Sequence, residues 1–512
     1  MIATNETARP AVLVGRLDRD KLLQRLSLGC ALLVSAILNL WNLSQNGYGN
    51  EYYATAVQSM LQNWHNFFFA AYDAGGYITV DKPPVALWMQ AISAKIFGFS
   101  GPALLVPEAL AGVASVALLY FLVKRIFGPL AGFMAALALA LNPIAVAVER
   151  SNNTDTWLMF TLLLAAWAIM RATEKGAFRL LALSMALVGV AFNIKMLEAW
   201  IVLPTFFVLY LVAAPLSWKK RLVHLTLAGL IALSVSLSWA VAVDLTPASA
   251  RPYIGGSQTN SVLELALGYN GLGRITGQGE GMGGGGTLRD LTRDDGTTQS
   301  SAQSGANALP GNFAPPAGAP GAAGNPGGGP GGGSFNTGTP GPLRLFNTEL
   351  AAQWSWLFPL AGLGLVAAGL GVRRKRPLAR RGQALLLWGG WLFTYGAVFS
   401  LASGIFHNYY LIMLAPAAAA LAGAGIAALW AAYRRGGWRA WLLPAVLLAT
   451  AAWQVKLLAD YPAWSAWLAP LLLGGTGLAA GGLVVANLLR GRILRRVAPV
   501  LVGVGLLALL LA

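Results

Sequence analysis

The length, composition and charge of the chain exclude an ordinary soluble protein. The chain has 512 residues, of which 56% are hydrophobic and only 11% are charged, and its mean hydropathy is +0.60. A soluble surface needs about 25% charged residues, so this composition predicts a polytopic membrane protein. The net charge of +17 fits basic cytoplasmic loops, and we predict no nucleic-acid partner. The single cysteine, Cys30, excludes an intramolecular disulfide.

Apolar runs of about 20 residues, the length that crosses a bilayer, occur along most of the chain. They predict an all-α polytopic membrane protein with about 13 transmembrane helices, and roughly 11–14 fit because glycine-rich runs have indistinct ends. A basic tail over 1–25 precedes the first run, 26–43, and no small-residue cleavage site follows it, which indicates a signal anchor. The other runs lie near 102–123, 129–148, 155–171, 178–195, 197–214, 222–243, 352–372, 383–402, 409–432, 438–456, 464–488 and 496–512.

The basic residues support this map of spans. With the N-terminus in the cytoplasm, 26 of the 36 Lys and Arg residues fall in the tail or in alternate loops on the same side. The densest clusters lie at 219–221, 373–376 and 490–496. Because Lys and Arg are enriched in cytoplasmic loops, we predict that the tail over 1–25 is cytoplasmic and that the other set of loops faces outward.

The first outer loop, 44–101, is too long to be a simple connection. Its segments 51–64 and 84–97 have helical patterns but are too short to span a bilayer. They indicate two helices that lie in the membrane interface, with Trp64 and Trp88 as anchors. Glycine and proline residues between the two segments predict a loop.

The second long outer loop, 244–351, separates a transmembrane module over 26–243 from the C-terminal transmembrane helices over 352–512. From about 277 to 342 this loop is rich in Gly, Ala and Pro and has almost no large apolar side chains. Such a segment cannot bury enough surface to offset its chain entropy. We therefore predict a disordered insertion, and we predict that its glycine-rich stretch 277–333 is dispensable for folding.

Charged side chains are rare on the predicted outer face, so each of them suggests a functional role. Most lie in the first outer loop or beside the ends of spans, and an aromatic HNYY stretch joins them; the set is Glu51, Asp81, Lys82, Glu149, Arg150, Asp155, Lys195, Glu198, His407, Tyr409 and Tyr410. Their common face predicts a cavity lined by carboxylates and cations. Structural alternatives remain, since Asp155 can cap the following helix and Lys195 can extend to the headgroups.

Four motifs resemble those of the membrane glycosyltransferases related to protein O-mannosyltransferases and to aminoarabinose transferases. An acidic-Tyr-Tyr-Ala stretch at 51–54 and an acidic-Lys-Pro turn at 81–83 match their first outer loop. SNNTD, which ends at Asp155, and AFNIK, which ends at Lys195, match two further motifs. SMLQNWHNFFF, VDKPP, RPYIGG, YNGLGR and HNYY resemble a bacterial, mannosyltransferase-like branch. In one departure, Glu51 stands one residue closer to Tyr-Ala than the acidic pair of the aminoarabinose transferases.

The resemblance implies a type C glycosyltransferase fold and a sugar transfer, with inversion, from a polyprenyl-phosphate donor to an acceptor hydroxyl. The resemblance also implies that this reaction takes place at the extracytoplasmic face of a bacterial cytoplasmic membrane. A carboxylate takes the acceptor's proton, and cations stabilise the departing phosphate. We assign the carboxylates to Glu51, Asp81 and Asp155, with Glu51 as the first candidate for the base; the phosphate-binding groups to Lys82, Arg150, Lys195, Arg274 and His407; and the substrate cavity to Tyr52, Tyr53, Asn153 and Tyr409.

The resemblance implies a hexosyl or pentosyl donor, with mannose suggested by the branch, and an envelope lipid, glycan or protein as acceptor. It requires no cofactor, but a divalent cation held by Asp81 and Asp155 stays open, because paired carboxylates bind hard cations. Two other classes also stay open: a transporter or flippase of lipid-linked sugars, and a non-catalytic scaffold. A transporter should place its charges near the bilayer midplane, so the gathering of acidic residues at one interface favours an enzyme.

Overall fold

A computed structural model describes residues 10–277, 337–372, 378–489 and 492–511 of the chain. Within these ranges the regular structure is helical, apart from two isolated β-bridges in the loops. The all-α prediction is therefore confirmed. Most of the predicted disordered insertion, residues 278–336, lies outside the described residues, as do residues 1–9 of the predicted N-terminal tail.

Twenty α-helices follow one another along the described chain. The first eleven are α1 (Pro10–Leu40), α2 (Glu51–Met60), α3 (Trp64–Phe69), α4 (Val85–Phe97), α5 (Gly101–Phe127), α6 (Pro129–Ala140), α7 (Pro143–Glu149), α8 (Asp155–Lys175), α9 (Phe178–Lys195), α10 (Leu203–Ala213) and α11 (Trp218–Asp244). The others are α12 (Val262–Leu267), α13 (Gly273–Thr276), α14 (Thr348–Trp354), α15 (Phe358–Leu370), α16 (Arg380–Leu401), α17 (Ala415–Arg435), α18 (Leu442–Leu458), α19 (Pro462–Leu489) and α20 (Arg492–Leu511).

By length and composition, the described residues contain 9 helical stretches that can cross a membrane, or up to 11 if each of two bent helix pairs counts as one span. The bent pairs are α6 with α7, at 60°, and α14 with α15, at 59°. The sequence predicts about 13 spans because it treats 178–195 and 197–214 as two and counts the last apolar run. That last run corresponds to a shorter apolar helix, Arg496–Leu511.

The apolar stretch from α9 to α10 reverses direction rather than continuing straight. Its turning point is Met196, whose φ of 49° and ψ of −134° end α9. At the same end Lys195 forms an ion pair with Asp155, the first residue of α8. Beyond α10, Leu216 packs against Gly176, which follows the other end of α8. The stretch therefore runs along α8 twice, as predicted for two spans.

The loop between α1 and α5 contains the predicted interfacial helices as α2, α3 and α4. Asn50 begins α2, since its side chain accepts a hydrogen bond of 3.0 Å from the backbone of Tyr52. Trp64 is 74% exposed, as an anchor requires. Trp88 instead stacks on Phe67 and donates to its carbonyl at 2.7 Å. Trp88, one of the two predicted anchors, is therefore engaged in packing within the loop.

The two long outer loops are joined by backbone hydrogen bonds. Thr79 N–H donates to the carbonyl of Tyr253 at 2.8 Å, and Tyr253 N–H donates to the carbonyl of Tyr77 at 2.7 Å. Gly255 N–H also donates to the Thr79 hydroxyl at 3.0 Å. These bonds connect α2–α4 with the segment before α12. We call the end of the bundle that carries these loops the site face.

Both described edges of the predicted insertion are attached to the segment 400–404. On the first edge, Ser403 N–H donates to the carbonyl of Ile275 at 3.0 Å. On the second edge, Gly341 N–H donates to the carbonyl of Ser400 at 2.8 Å. The buried Arg344 also donates to the carbonyl of Ala402 at 2.5 Å. The described residues 337–342 are therefore held against the helical body.

Candidate active site

Several chain segments meet at the site face and surround the predicted functional residues. They are the first outer loop, the start of α8, a 3₁₀ helix after α9 (Met196–Val202), a kinked turn (Gly268–Leu272) and a 3₁₀ helix before α17 (Asn408–Leu414). These are helix ends and loops, where side chains can approach from different directions. The site is thus built from both halves of the chain.

The Asp81–Lys82 turn is fixed between the two outer loops. The Lys82 ammonium forms an ion pair with Asp81 and donates to the side-chain oxygen of Asn270 at 3.0 Å. The Asn270 amide returns a hydrogen bond of 2.6 Å to the Asp81 carbonyl. The Asp81 N–H donates to the hydroxyl of Tyr52 at 3.1 Å. Lys82 is buried, whereas the Asp81 side chain keeps 20% of its surface exposed.

For both Asp81 and Lys82, burial and the charge of the partner shift the pKa in opposite directions. Burial alone would raise the pKa of the Asp81 carboxyl, but the Lys82 ammonium and the Arg274 guanidinium hold that pKa below its ordinary value. Burial lowers the pKa of Lys82, and the attraction of Asp81 works against that change. Burial and the Asp81 charge raise the pKa of the Tyr52 phenol. Asp81 is therefore a carboxylate at neutral pH, beside a neutral tyrosine.

A second group of charges lies deeper, where α8 and α9 meet. Lys195 forms ion pairs with Asp155 and, at 2.9 Å, with Glu198. The side chain of Asp155 is 1% exposed and that of Lys195 is 5% exposed. The Lys195 ammonium also lies over the rings of Tyr410 and Tyr409, at 4.0 Å and 5.0 Å from their centres. Asp155 thus neutralises and positions Lys195 in a dry environment.

Arg274 completes the set of cations from the C-terminal side. Its guanidinium donates to the Tyr410 hydroxyl at 2.6 Å and to the Tyr269 carbonyl at 3.2 Å. It also stacks on the Tyr269 ring at 4.8 Å from the ring centre. The turn that carries Tyr269 is kinked at Gly271, whose φ of −122° and ψ of −112° are not helical. A Cβ at Gly271 would lie 2.4 Å from the backbone carbonyl oxygen of Ala266, so the kink requires glycine.

Two cavities meet at these cations. The first has a volume of about 340 Å³, and its walls are Tyr52, Tyr53, Asp81, Lys82, Gly256, Tyr269, Arg274, His407 and Tyr409. The second is narrower, about 80 Å³. It contains Lys82, Lys195, Glu198 and Arg274 at its polar end, and its apolar walls include Leu197, Ile201, Val398, Phe399, Ile405 and Phe406. Lys82 and Arg274 line both cavities. The first cavity is polar, and the narrower cavity beside it is largely apolar.

Besides Asp155, which is buried against Lys195, three predicted residues lie outside these cavity walls. Glu51 is exposed at the start of α2, while the next two residues, Tyr52 and Tyr53, line the first cavity. Arg150 donates to the carbonyls of Leu38 and Trp41, at 2.6 Å and 3.0 Å. Arg150 is therefore occupied in fastening α1 and is not placed for a phosphate.

Asn153 is the third of these residues. It is half-buried and accepts a hydrogen bond of 3.5 Å from the Asn50 amide. His407 does line the first cavity, but burial and the neighbouring Arg274, Lys195 and Lys82 lower its pKa to about 4. His407 is consequently neutral at pH 7 and does not supply a positive charge to the cavity.

Gln90 supports the site from behind. Its amide donates to Glu108 at 2.8 Å and to the carbonyl of Asn152 at 3.0 Å. The Asn152 side chain in turn accepts from the N–H of Asn50 at 2.5 Å and donates to the Asn50 carbonyl at 3.1 Å. This chain of hydrogen bonds fixes the start of α2 to the loop that leads into Asp155.

Four residues of the site receive no role from the sequence. Tyr269 and Asn270 lie in the YNGLGR motif, where an aromatic and an amide side chain precede the glycine-rich stretch. In the sequence, this contrast in composition is the signal that could have identified Tyr269 and Asn270 as site residues. The sequence places Glu198 and Tyr410 on the outer face without a specific role. In the structure both contact Lys195 and line the narrow cavity, and the Tyr410 hydroxyl also accepts a hydrogen bond from Arg274.

The carboxylates do not form a ready-made metal site. Among the described residues, no group of three or more His, Cys, Asp and Glu side chains is arranged to hold a metal ion. Asp81 and Asp155 are each already paired with a lysine, Lys82 and Lys195. A divalent cation bound to either carboxylate would have to displace an ammonium group. The donor set therefore fits direct cation contacts better than a resident metal.

Comparisons with known proteins agree with this architecture. Residues 81–239 match the family described as dolichyl-phosphate-mannose-protein mannosyltransferase. Two proteins of Bacillus subtilis (strain 168), named "Putative mannosyltransferase" YkcB and YycA, are 46% and 44% identical to the chain. The alignments cover 84% and 87% of this chain, and 66% and 70% of the two relatives, so the chain spans about two thirds of their lengths.

The fold is also that of a solved structure. The crystal structure of ArnT from Cupriavidus metallidurans bound to undecaprenyl phosphate matches with a TM-score of 0.54 and 17% identity. The match covers 95% of this chain and 75% of that one. At this identity the likeness establishes the type C glycosyltransferase fold. The sequence relationship to the Bacillus proteins shows that the chain belongs to the family of membrane glycosyltransferases that contains the protein mannosyltransferases and the aminoarabinose transferases.

Proposed function

We propose that this protein transfers a sugar from a polyprenyl-phosphate donor to an acceptor hydroxyl at the extracytoplasmic face of a bacterial cytoplasmic membrane. The observation that carries the proposal is the sharing of Lys82 and Arg274 by a polar and an apolar cavity. A lipid-linked sugar has the same division, because its phosphate separates a polar sugar from an apolar chain. The junction of the cavities therefore suits the phosphate.

The donor phosphate would contact Lys82, Lys195 and Arg274, which all line the narrow cavity. As the bond between the anomeric carbon and the phosphate oxygen breaks, negative charge grows on the departing phosphate. Preorganised cations in a site with little water stabilise that charge strongly. The first isoprenoid units would lie along the apolar wall that includes Ile201 and Phe406. The structure of ArnT with bound undecaprenyl phosphate supports a lipid of this class.

Asp81 replaces Glu51 as the first candidate for the base. Of the three predicted carboxylates, Asp81 lines the larger cavity, Asp155 is buried against Lys195, and Glu51 is exposed outside the cavity. In a single displacement, the acceptor oxygen attacks the anomeric carbon, Asp81 accepts the hydroxyl proton, and the phosphate leaves with the bonding electrons. The anomeric centre is inverted, because no carboxylate forms a covalent intermediate.

The sugar and the acceptor follow from weaker indications. The Bacillus relatives carry mannosyltransferase names, so we propose a hexose, with mannose first, ahead of a pentose. The acceptor is a hydroxyl of an envelope lipid, glycan or protein, since the cavity lies among the outer loops. We propose no cofactor, because Lys82, Lys195 and Arg274 can neutralise the phosphate directly. A transporter, a flippase or a scaffold without activity would not need a carboxylate and three cations to meet where a polar and an apolar cavity join.

The test is a transfer assay with the purified protein in liposomes. A panel of radiolabelled polyprenyl-phosphate sugars is offered, and release or transfer of the sugar is followed. We expect turnover with at least one hexose donor. Asp81→Asn should slow transfer by at least about a hundredfold, the usual contribution of a general base, and should leave donor binding intact. Glu51→Gln should stay close to the wild type.

The opposite results have distinct meanings. If Glu51→Gln abolishes transfer while Asp81→Asn does not, the base assignment fails but the glycosyltransferase proposal stands. If Asp81→Asn, Asp155→Asn and Glu51→Gln all retain full turnover, the cavity is not the catalytic centre. No turnover with any donor, combined with movement of labelled lipid across the membrane, would favour a flippase.

A further inference from the structure

A cavity larger than the two at the candidate active site lies away from that site. It has a volume of about 1010 Å³ and lies between α17, α19 and α20, with one wall contributed by the start of α6. Its walls include Trp430, Arg434, Arg435, Asn487, Val502 and Gly503. None of these residues takes part in the site at the other end of the bundle.

The length of α17 places this cavity on the face opposite the site. α17 begins directly after the 3₁₀ helix that carries Tyr409 and Tyr410, and it ends at Arg435 after 21 residues. At 1.5 Å per residue, this helix is roughly 30 Å long, about the thickness of the hydrocarbon core. The positive-inside rule assigns the Arg434–Arg435 end to the cytoplasm.

The walls of the cavity are divided by chemistry. Arg434 and Arg435 are exposed at one end, next to Asn487. The remaining walls are largely apolar and include Leu130, Ala498, Val502 and Leu506. Trp430 stacks on Tyr433, and the Tyr433 hydroxyl is already engaged with the Leu483 carbonyl at 2.8 Å. Among the described residues of the cavity wall, the charged side chains are those of Arg434 and Arg435, and both are cationic.

We infer that this cavity binds an anionic phospholipid of the cytoplasmic leaflet, with its phosphate at Arg434 and Arg435 and its acyl chains along α20. Basic pockets between transmembrane helices on this side of a membrane are suited to anionic headgroups. The apolar walls explain why the ligand is an amphiphile rather than a soluble anion. A polyprenyl phosphate here would lie in the opposite leaflet from the active site, so a resident phospholipid fits better.

The bound lipid would connect α17 with the C-terminal pair α19 and α20. A ligand that binds only the folded protein stabilises it in proportion to its concentration. Phosphatidylglycerol should therefore raise the melting temperature of the detergent-purified protein, and native mass spectrometry should detect the bound lipid. Phosphatidylcholine, which carries no net charge, should do neither to the same extent.

Charge variants test the headgroup contact. Each arginine beside an anionic lipid contributes about fivefold in affinity, so Arg434→Gln with Arg435→Gln should weaken phosphatidylglycerol binding by about 30-fold. Arg439→Gln is the matched control, because Arg439 lies on the same face and stacks on Trp438 outside the cavity. The inference fails if the control loses as much affinity as the double variant, since a diffuse surface charge would then explain the binding.

A second variant tests the cavity without changing its charge. A side chain at Gly503 would meet open space, with no heavy atom within 4 Å. Gly503→Leu should keep the fold and both arginines but exclude the acyl chain, so the lipid-dependent rise in melting temperature should disappear. Retention of that rise would overturn the inference. Stronger binding of undecaprenyl phosphate than of phosphatidylglycerol by the wild type would also overturn the choice of a phospholipid.

Discussion

Lys82 donates a hydrogen bond of 3.0 Å to the side-chain oxygen of Asn270, and this contact crosses between two loops that are 188 residues apart. The Asn270 amide also holds the Asp81 carbonyl at 2.6 Å. One asparagine therefore contacts both the Lys82 ammonium and the backbone of Asp81. This arrangement makes Asn270 a positioning residue for the proposed donor site.

Asn270→Ala should weaken the donor site without removing any charge. Hydrogen bonds to charged groups contribute about 1.5–3 kcal/mol, which corresponds to roughly a tenfold to hundredfold change in affinity. We expect a higher KM for the donor, and a fraction of that effect on kcat. Gln62→Ala, an exposed amide on the same face, should leave both constants unchanged. A fall in kcat alone would place Asn270 in the chemical step instead.

Lys82→Met should weaken binding of polyprenyl phosphate itself, even when no sugar is attached. The reason is that Lys82 lies where the two cavities meet, which is the proposed position of the donor phosphate. Lys95→Met is the matched control, because Lys95 is exposed at the end of α4 in the same loop. Affinity for the sugar-free lipid can be measured by calorimetry in detergent. Equal affinities for the two variants would refute the assignment.

The Asp155–Lys195 pair should be costly to break from either side. Both side chains are almost fully buried, and removal of one partner from a buried pair typically costs about 3–5 kcal/mol. Lys195→Met and Asp155→Asn should each lower the melting temperature, while the double variant should recover part of the loss. A double-mutant cycle with no coupling energy would show that the two charges are solvated independently.

Gly112 should be intolerant of any side chain. A Cβ at this position in α5 would collide with the carboxyl group of the buried Glu149. Overpacking of this kind typically costs about 1–3 kcal/mol, so Gly112→Ala should lower thermal stability. Gly396→Ala in α16 provides the control, because nothing lies within 4 Å of a Cβ there. Similar melting temperatures for the two variants would contradict the tight contact.

The neutral state of His407 predicts a pH dependence of stability. Burial and three nearby cations lower its pKa from 6.5 to about 4. Between these values the unfolded chain binds more protons than the folded one, so stability should fall as the pH drops from about 6.5 towards 4. His407→Gln should reduce the change in melting temperature over this pH range. An identical slope in wild type and variant would assign the effect to other groups.

The sequence predicts the helices well because long apolar runs carry a strong signal. It also locates Asp81, Lys82, Asp155 and Lys195 at helix ends on one face. It could not orient Glu51, because consecutive residues on a helix differ by 100°, and that rotation points Tyr52 and Tyr53 into the cavity instead. The phase of a short helix depends on what it packs against, which only the folded structure contains.

Long-range packing also determines the roles of two other residues, which the sequence does not reveal. Arg150 looks like a free cation in sequence, yet its guanidinium is taken up by carbonyls at the end of α1, more than 100 residues earlier. Asn270 looks like a loop residue, yet it holds the Lys82 turn. A hydrogen bond between distant segments leaves no local pattern, so neither role can be assigned before the fold is known.

The attachment of residues 275 and 341 to the same short segment, 400–404, has an evolutionary consequence. The described residues before and after the insertion are attached at neighbouring points, so these two ends are held in place whatever the length of the stretch between them. Natural selection can lengthen, shorten or replace the intervening stretch without changing the geometry around Arg274. Variation among descendants should therefore accumulate between these two fastenings, while the fastenings themselves stay constant.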